Sequence, residues 1–386
     1  MIHTQEELIE NALLYFKRGD FSLGYRTLLD TALNTSSEEI FVAILKFVEE
    51  YESLKNENKS SLYPLFEECC LLIKSIKIDK KSVIGQSILE ANNISKNYNK
   101  GRFVLGPINL VLKKGDVFGL VGENGNGKTT LLTVLASLNK QTSGNLNYSF
   151  STKSSDRFDV LSKLVYIPQR TPVWYGKVLD NLKFALVNHG IKGAKNELLV
   201  LMMVARFGLW NYKDLKWSEL SSGYKMRFEL ARTMLRRPEI ILLDEPLANL
   251  DILAQQIILE DLKMMSKSPV NPIAMVFSSQ QLYEVEKISD QVIYLRNGKP
   301  TNELNLEDKE QNLLILEIDT KSSRNELETI FNELNLVKLE FNGGMYILYF
   351  NEDINFNDVL KSIIKHQIKV EYIRNISKSS RRFFVY

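Results

Sequence analysis

The chain has 386 residues, 44% of them hydrophobic, with 49 basic against 47 acidic side chains and a formal net charge of +2. That length suits roughly two or three domains with ordinary globular cores. The near balance of charge, without a long lysine or arginine block, argues against a nucleic-acid partner. The only cysteines, Cys69 and Cys70, are adjacent, a poor disulfide framework that fits a reducing cytoplasm. The N-terminus has neither the basic nor the apolar region of an export signal, and no apolar run is long enough to span a bilayer. A soluble protein is expected, so any membrane role requires a separate partner.

Residues 1–80 read as a helical N-terminal domain. Apolar spacing in Leu8, Ala12, Leu13 and Phe16, a break at Gly19-Asp20, and then Leu23, Leu28, Leu29 and Ala32 predict an amphipathic helical hairpin. It resembles a single tetratricopeptide unit, although any packed hairpin gives the same pattern and such arrays normally need about three repeats. Further helices are predicted over Glu38–Tyr51 and Tyr63–Ile73. A docking or regulatory role and an inert packing role are equally compatible with this segment.

Next comes a buried-strand run, Val117 to Val121, then Gly122-Glu123-Asn124-Gly125-Asn126-Gly127-Lys128-Thr129-Thr130, then a helical run from Leu131. A glycine-rich loop between strand and helix is a P-loop, whose backbone N–H groups surround a phosphate. Lys128 supplies a charge for the β- and γ-phosphates, and the Thr129 hydroxyl a Mg²⁺ ligand. Downstream, four apolar residues, Ile240 to Leu243, end in Asp244-Glu245-Pro246, a buried strand delivering carboxylates at its C-terminal edge. Asp244 is placed to hold Mg²⁺, and Glu245 to polarise the water that attacks the γ-phosphate.

Leu220-Ser221-Ser222-Gly223-Tyr224, just upstream of that strand, resembles the signature of ATP-binding cassette (ABC) ATPases. The other family elements follow in order between about Leu89 and Gly298. Tyr98 resembles the aromatic that stacks on adenine, and Gln169 the Q-loop glutamine that touches Mg²⁺ and senses the transport partner. Asn249-Leu250-Asp251 resembles the D-loop. Two positions depart from the pattern: Gln280 stands where the switch histidine is expected, and in the signature Ser222 replaces a glycine and Tyr224 a glutamine. The resemblance implies an α/β P-loop cassette over residues 86–306, with a mixed sheet and a helical subdomain, which binds ATP and Mg²⁺ and hydrolyses ATP. It further implies a second cassette, as homodimer or heterodimer, whose Ser221 and Gly223 complete the site in trans. The final implied partner is an integral membrane permease, which would place the chain on the cytoplasmic face of a bacterial cell membrane. Trp174 and Tyr175, beside Gln169, are candidate permease anchors or else core packing.

Residues 311–386, after the charged stretch 307–311, show a βαββαβ rhythm. Strands are expected at Leu314–Ile318, Val337–Phe341, Met345–Phe350 and Val370–Ile373, with helices at Asn325–Leu334 and Val359–Ile364. That order is ferredoxin-like. Similar small domains end drug- and gliding-type (ABC-2) exporter cassettes, and the tail from Arg374 looks like theirs. The alternative to a transporter subunit is a soluble non-transport ABC ATPase, or an ATP-gated regulator in which Gln280 slows hydrolysis.

Overall fold

The computed structural model describes residues 4–76, 84–98, 103–150, 157–300, 313–351 and 353–377. Contacts divide the chain into two compact units, residues 1–280 with 287–300, and residues 281–286 with 301–386.

The first unit begins with α1 (Gln5–Lys17), α2 (Phe21–Thr35), α3 (Glu38–Ser53) and α4 (Tyr63–Lys74). Thr4 and Glu7 form a capping box at the start of α1, and Ser37 caps α3. Buried Phe16, Phe47 and Phe66 fill the centre, with the Phe16 and Phe66 rings stacked 4.1 Å apart. Each such ring contributes about 1.5–3 kcal/mol on burial, so this cluster, more than helix propensity, holds the helices together.

The cassette follows with β1 (Ser87–Asn97), β2 (Val104–Lys113), β3 (Val117–Val121), α5 (Lys128–Leu135), β4 (Ser143–Tyr148), α6 (Arg157–Lys163) and β5 (Leu164–Ile167). Then come α7 (Val178–Val187), α8 (Gly193–Arg206), α9 (Ser222–Leu235), β6 (Ile240–Leu243), α10 (Ile252–Ser266), β7 (Ala274–Ser279), α11 (Leu282–Ile288), whose residues up to Glu286 belong to the second unit, β8 (Gln291–Arg296) and β9 (Lys299–Pro300). β1, β2 and β4 form an antiparallel sheet in the order β2-β1-β4. The larger sheet runs β5-β6-β7-β3-β8-β9 and is parallel except for β9. Every residue of β3, β6 and β7 is buried, as expected of a parallel sheet covered on both faces. Since β5, β6, β7 and β3 are parallel neighbours, the loops bearing Gln169, Glu245, Gln280 and Lys128 all leave the same sheet edge.

A buried ionic cluster joins the N-terminal helices to the cassette. Arg206 at the end of α8 donates to Asp30 of α2 at 2.5 Å and to Asp261 of α10 at 2.6 Å. Arg26 of α2 adds bonds to Asp261 at 3.1 Å and Glu260 at 2.7 Å.

The second unit contains β10 (Leu314–Thr320), α12 (Arg324–Phe331), β11 (Leu336–Asn342), β12 (Met345–Phe350), α13 (Phe356–Lys365) and β13 (Val370–Asn375). Its antiparallel sheet has the order β11-β12-β10-β13, the ferredoxin-like arrangement. Leu327 and Phe331 of α12 and Val359 and Ile363 of α13 pack on Leu316, Ile318, Leu348 and Phe350. The expected helix to Leu334 stops at Phe331. Residues 332–334 tighten into a 3₁₀ turn, and Asn335 takes φ 53°, a left-handed terminus that ends the helix. The charged stretch 307–311 and the tail beyond 377 lie outside the described residues.

Candidate nucleotide site

The loop between β3 and α5 closes tightly. Gly127 adopts φ 100°, and a Cβ there would lie 2.8 Å from the Phe103 ring. At Gly122 a Cβ would meet the Leu295 carbonyl oxygen at 2.5 Å. A side chain at either position would displace the backbone curve. The N–H groups of Gly127, Lys128 and Thr129 have no acceptor among the described residues, so orphan donors at a helix start face an anion-sized turn. Asn126 accepts from the Asn297 N–H at 2.9 Å, which ties the loop to the β8–β9 turn.

Lys128 is buried, and its ammonium donates to the Gly122 carbonyl at 2.6 Å and the Glu123 carbonyl at 3.3 Å. It also lies 3.2 Å from Glu245 Oε1. Gln169 Nε2 donates to Glu245 at 3.1 Å, and Gln280 Nε2 donates to its two oxygens at 3.1 and 2.9 Å. Three side chains spread over more than half of the cassette sequence therefore converge on one carboxylate.

Beside this cluster, Asp244 accepts from Thr129 Oγ1 at 2.7 Å, from Ser278 Oγ at 2.8 Å and from the Tyr166 phenol at 3.2 Å. Ser278 Oγ also accepts from the Glu245 N–H at 2.9 Å, so one buried hydroxyl fixes both acids. Glu245 itself has φ 47°, a left-handed conformation costing about 1–2 kcal/mol that this bond helps to hold. Burial, and next the Asp244 carboxylate, push the Tyr166 phenol above its usual pKa, so it remains a donor. Thr129, Asp244 and Gln169 together offer the hard oxygen donors that Mg²⁺ prefers.

The signature residues stand apart from this cluster. Ser221 caps α9 by accepting from the Tyr224 N–H, and Ser222 Oγ donates to the Asn249 carbonyl at 3.1 Å. Ser221 and Ser222 are exposed, so the α9 N-terminus is presented outward with its orphan donors. Tyr224 packs on Tyr212, with centroids 3.9 Å apart. Asp251 caps α10 through the Ala254 N–H at 2.9 Å. Tyr98 is half-exposed, and its hydroxyl accepts from Asn139 at 2.9 Å. Phe103, whose ring centroid lies 6.4 Å from that of Tyr98, bridges it to Gly127.

Trp174 and Tyr175 part company. The Trp174 indole donates to buried Glu229 at 2.6 Å, while the Arg232 guanidinium lies 4.8 Å from its ring, which makes it a fixture of α9. Tyr175 is 88% exposed.

Ser278, Tyr166, Phe103 and Asn297 were not singled out in the sequence. Ser278 carries a readable signal: a hydroxyl near the end of a buried, mostly apolar strand must find a partner.

Residues 105–248 match the family model described as ABC transporter. The chain is 31% identical over 290 residues to the spermidine/putrescine import ATP-binding protein PotA of Mesoplasma florum, covering 72% of this chain and 77% of that protein. It is 27% identical over 304 residues to the uncharacterized ABC transporter ATP-binding protein YcbN of Bacillus subtilis, covering 77% of this chain and 96% of the relative. Among solved structures, CbiO1 of Clostridium perfringens, described as part of the ABC transporter complex CbiONQ, aligns with a TM-score of 0.51 at 23% identity. That alignment covers 58% of this chain and 93% of CbiO1.

Proposed function

Because the chain belongs to the family of ABC transporter ATP-binding proteins, we propose that it is one of a pair of cassettes that close head to tail on ATP and drive a separate membrane permease. It is an ATPase, converting ATP and water to ADP and phosphate. The observation that carries the reading is the convergence of Lys128, Gln169 and Gln280 on Glu245, beside Thr129 and Asp244.

In this scheme the orphan N–H groups of the P-loop, together with Lys128, bind the β- and γ-phosphates. Thr129, Asp244 and Gln169 would hold Mg²⁺, which when bound neutralises phosphate charge. Tyr98 and Phe103 offer the adenine ring an aromatic edge. Glu245 accepts a hydrogen bond from the attacking water and polarises it, and Ser278 keeps the Glu245 backbone turned towards the site. Gln280 donates an amide N–H where an imidazole would otherwise reach, but it neither carries charge nor relays a proton. Ser221 and Gly223 of a second cassette complete the site across the interface, so hydrolysis waits on closure.

The permease reading draws support from the loop after Gln169 and the helix α7 that follows it. Val173 is 62%, Tyr175 88% and Phe184 61% exposed, three large apolar side chains that a cytoplasmic partner helix would cover. No helix among the described residues is long and apolar enough to cross a membrane. The small ferredoxin-like unit favours an exporter over an importer, and the chain would sit on the cytoplasmic face of the membrane. Detergent extraction of the tagged chain tests this directly: a multi-span protein should co-purify, and recovery should fall in Tyr175→Ala with Phe184→Ala while ATP binding is kept. Recovery of the chain without any membrane protein would end the permease reading. Gln280 supports a second reading, an ATP-gated regulator that closes readily and turns over slowly.

A further inference from the structure

Inside the first unit, where the N-terminal helices meet the cassette, lies a cavity of about 680 Å³. Small-molecule sites usually measure about 300–1,000 Å³. One wall comes from α1 and α2, and the other from α7, α8, the ends of α9 and α10, and residues 267–273. Leu8 and Leu33 line it from the N-terminal helices, Leu199 and Met203 from α8, and Met234 and Met265 from α9 and α10. Methionines repack around guests of differing shape, which suits an elongated apolar body.

The charged lining is one-sided. It includes Lys114, Lys163, Arg206, Arg237, Lys263 and Lys267, opposed only by Asp30 and Glu239. Arg206 is taken up by Asp30 and Asp261, Lys114 and Lys163 both face Glu239, and Lys267 holds Asp290 at 2.8 Å. Among the described residues, exposed Arg237 bonds only the Ser36 hydroxyl, at 3.4 Å, and exposed Lys263 has no acidic partner. Apolar lining from Leu8, Leu33, Leu199 and the methionines, beside two cations that no acid compensates, is complementary to a molecule with an apolar tail and an anionic head.

We propose that this cavity binds a single-chain amphipathic carboxylate, with its tail against Leu199 and Met203 and its head at Arg237 and Lys263. Such a ligand touches the N-terminal helices and the cassette at once, which makes the helical domain a sensor. The competing account is electrostatic: Lys263 lies in the last turn of α10 and Arg237 just after α9, where cations balance helix carbonyls.

Calorimetric titration of the full chain with decanoate, decanol and decyltrimethylammonium, all below micelle formation, separates the two accounts. Decanoate should bind about tenfold or more tightly than decanol, and the ammonium should not bind. Arg237→Glu with Lys263→Glu, both exposed, should bring decanoate down to the level of decanol. Met203→Trp should fill the cavity and abolish both, with melting temperature and ATP binding kept. If Met203→Trp does not fold, the charge-reversal pair decides alone. Equal affinity for decanoate and decanol, no binding of decanoate, or decanoate binding unchanged by charge reversal would overturn the proposal.

Discussion

The Lys128 ammonium lies 3.2 Å from the Glu245 carboxylate, and both side chains are almost wholly shielded from water. The proposed phosphate-binding cation is thus already engaged by the proposed water-polarising base. An incoming γ-phosphate competes with Glu245 for Lys128 and also meets its negative charge. Glu245→Gln should therefore bind ATP a few-fold to about tenfold more tightly while hydrolysis falls about 10²–10³-fold. Equilibrium dialysis and phosphate release measure the two effects, and light scattering should find the closed dimer with ATP. Weaker ATP binding by this variant would show that the pair does not oppose the phosphates.

Replacing Gln280 tests whether the switch position limits turnover. A histidine there could present a ring nitrogen to the same region and carry charge, so Gln280→His should hydrolyse faster than wild type and Gln280→Ala more slowly. The histidine effect should be largest below about pH 7, where imidazole is substantially protonated. Equal rates in all three would mean that the bond to Glu245 has no part in catalysis.

Ser278→Ala removes the hydroxyl that serves Asp244 and the Glu245 N–H together. Leaving that buried N–H unpaired costs about 1–3 kcal/mol of stability. Because Glu245 loses its anchor, kcat should drop about tenfold or more, with ATP affinity in the absence of Mg²⁺ unchanged. Urea unfolding and single-turnover hydrolysis give the two readouts.

Asp261 is 1% exposed and receives both Arg206 and Arg26. Removing one partner from a buried pair costs about 3–5 kcal/mol, more than an exposed pair could. Asp261→Ala should lower the urea midpoint accordingly. A change under about 1 kcal/mol would show that the cluster is solvated.

Burial pushes the Cys69 and Cys70 thiols up to about 12. Only the thiolate reacts, so at pH 8 roughly one thiol in ten thousand is reactive. Ellman's reagent should leave the native chain unlabelled and titrate both cysteines once α4 unfolds. Rapid labelling at pH 8 would place these thiols at the surface.

The parts of the site legible in the sequence were those whose chemistry is written in consecutive residues. Val117–Val121 followed by the glycine loop, and Ile240–Leu243 followed by two acids, each contain strand, turn and function within a few positions. Gln280 was placed through its neighbours, and the structure brings it to Glu245. Trp174 shows the limit, because its aromatic side chain next to an exposed loop looks like an anchor. Only the return of α9, carrying Glu229 and Arg232, shows that the indole is held. The seam between the helices and the cassette was equally hidden: Asp30, Arg206 and Asp261 look like ordinary surface charges until three helices meet. In the second unit, hydrophobic alternation gave strand order no voice, yet the βαββαβ rhythm admitted few arrangements.

That seam also sets a timetable for biosynthesis. Arg206 reaches Asp30 across 176 positions, and Arg26 reaches Asp261 across 235. The α1–α4 bundle contains its own aromatic centre and can condense as soon as it leaves the ribosome, but its charged flank finds a first counterpart only when α8 is made and the rest when α10 is. At translation rates of about 5–20 residues per second, the wait from α4 to α10 is on the order of ten to forty seconds. During it, Leu8 and Leu33, which in the finished chain line the cavity between the helices and the cassette, stand at an open edge.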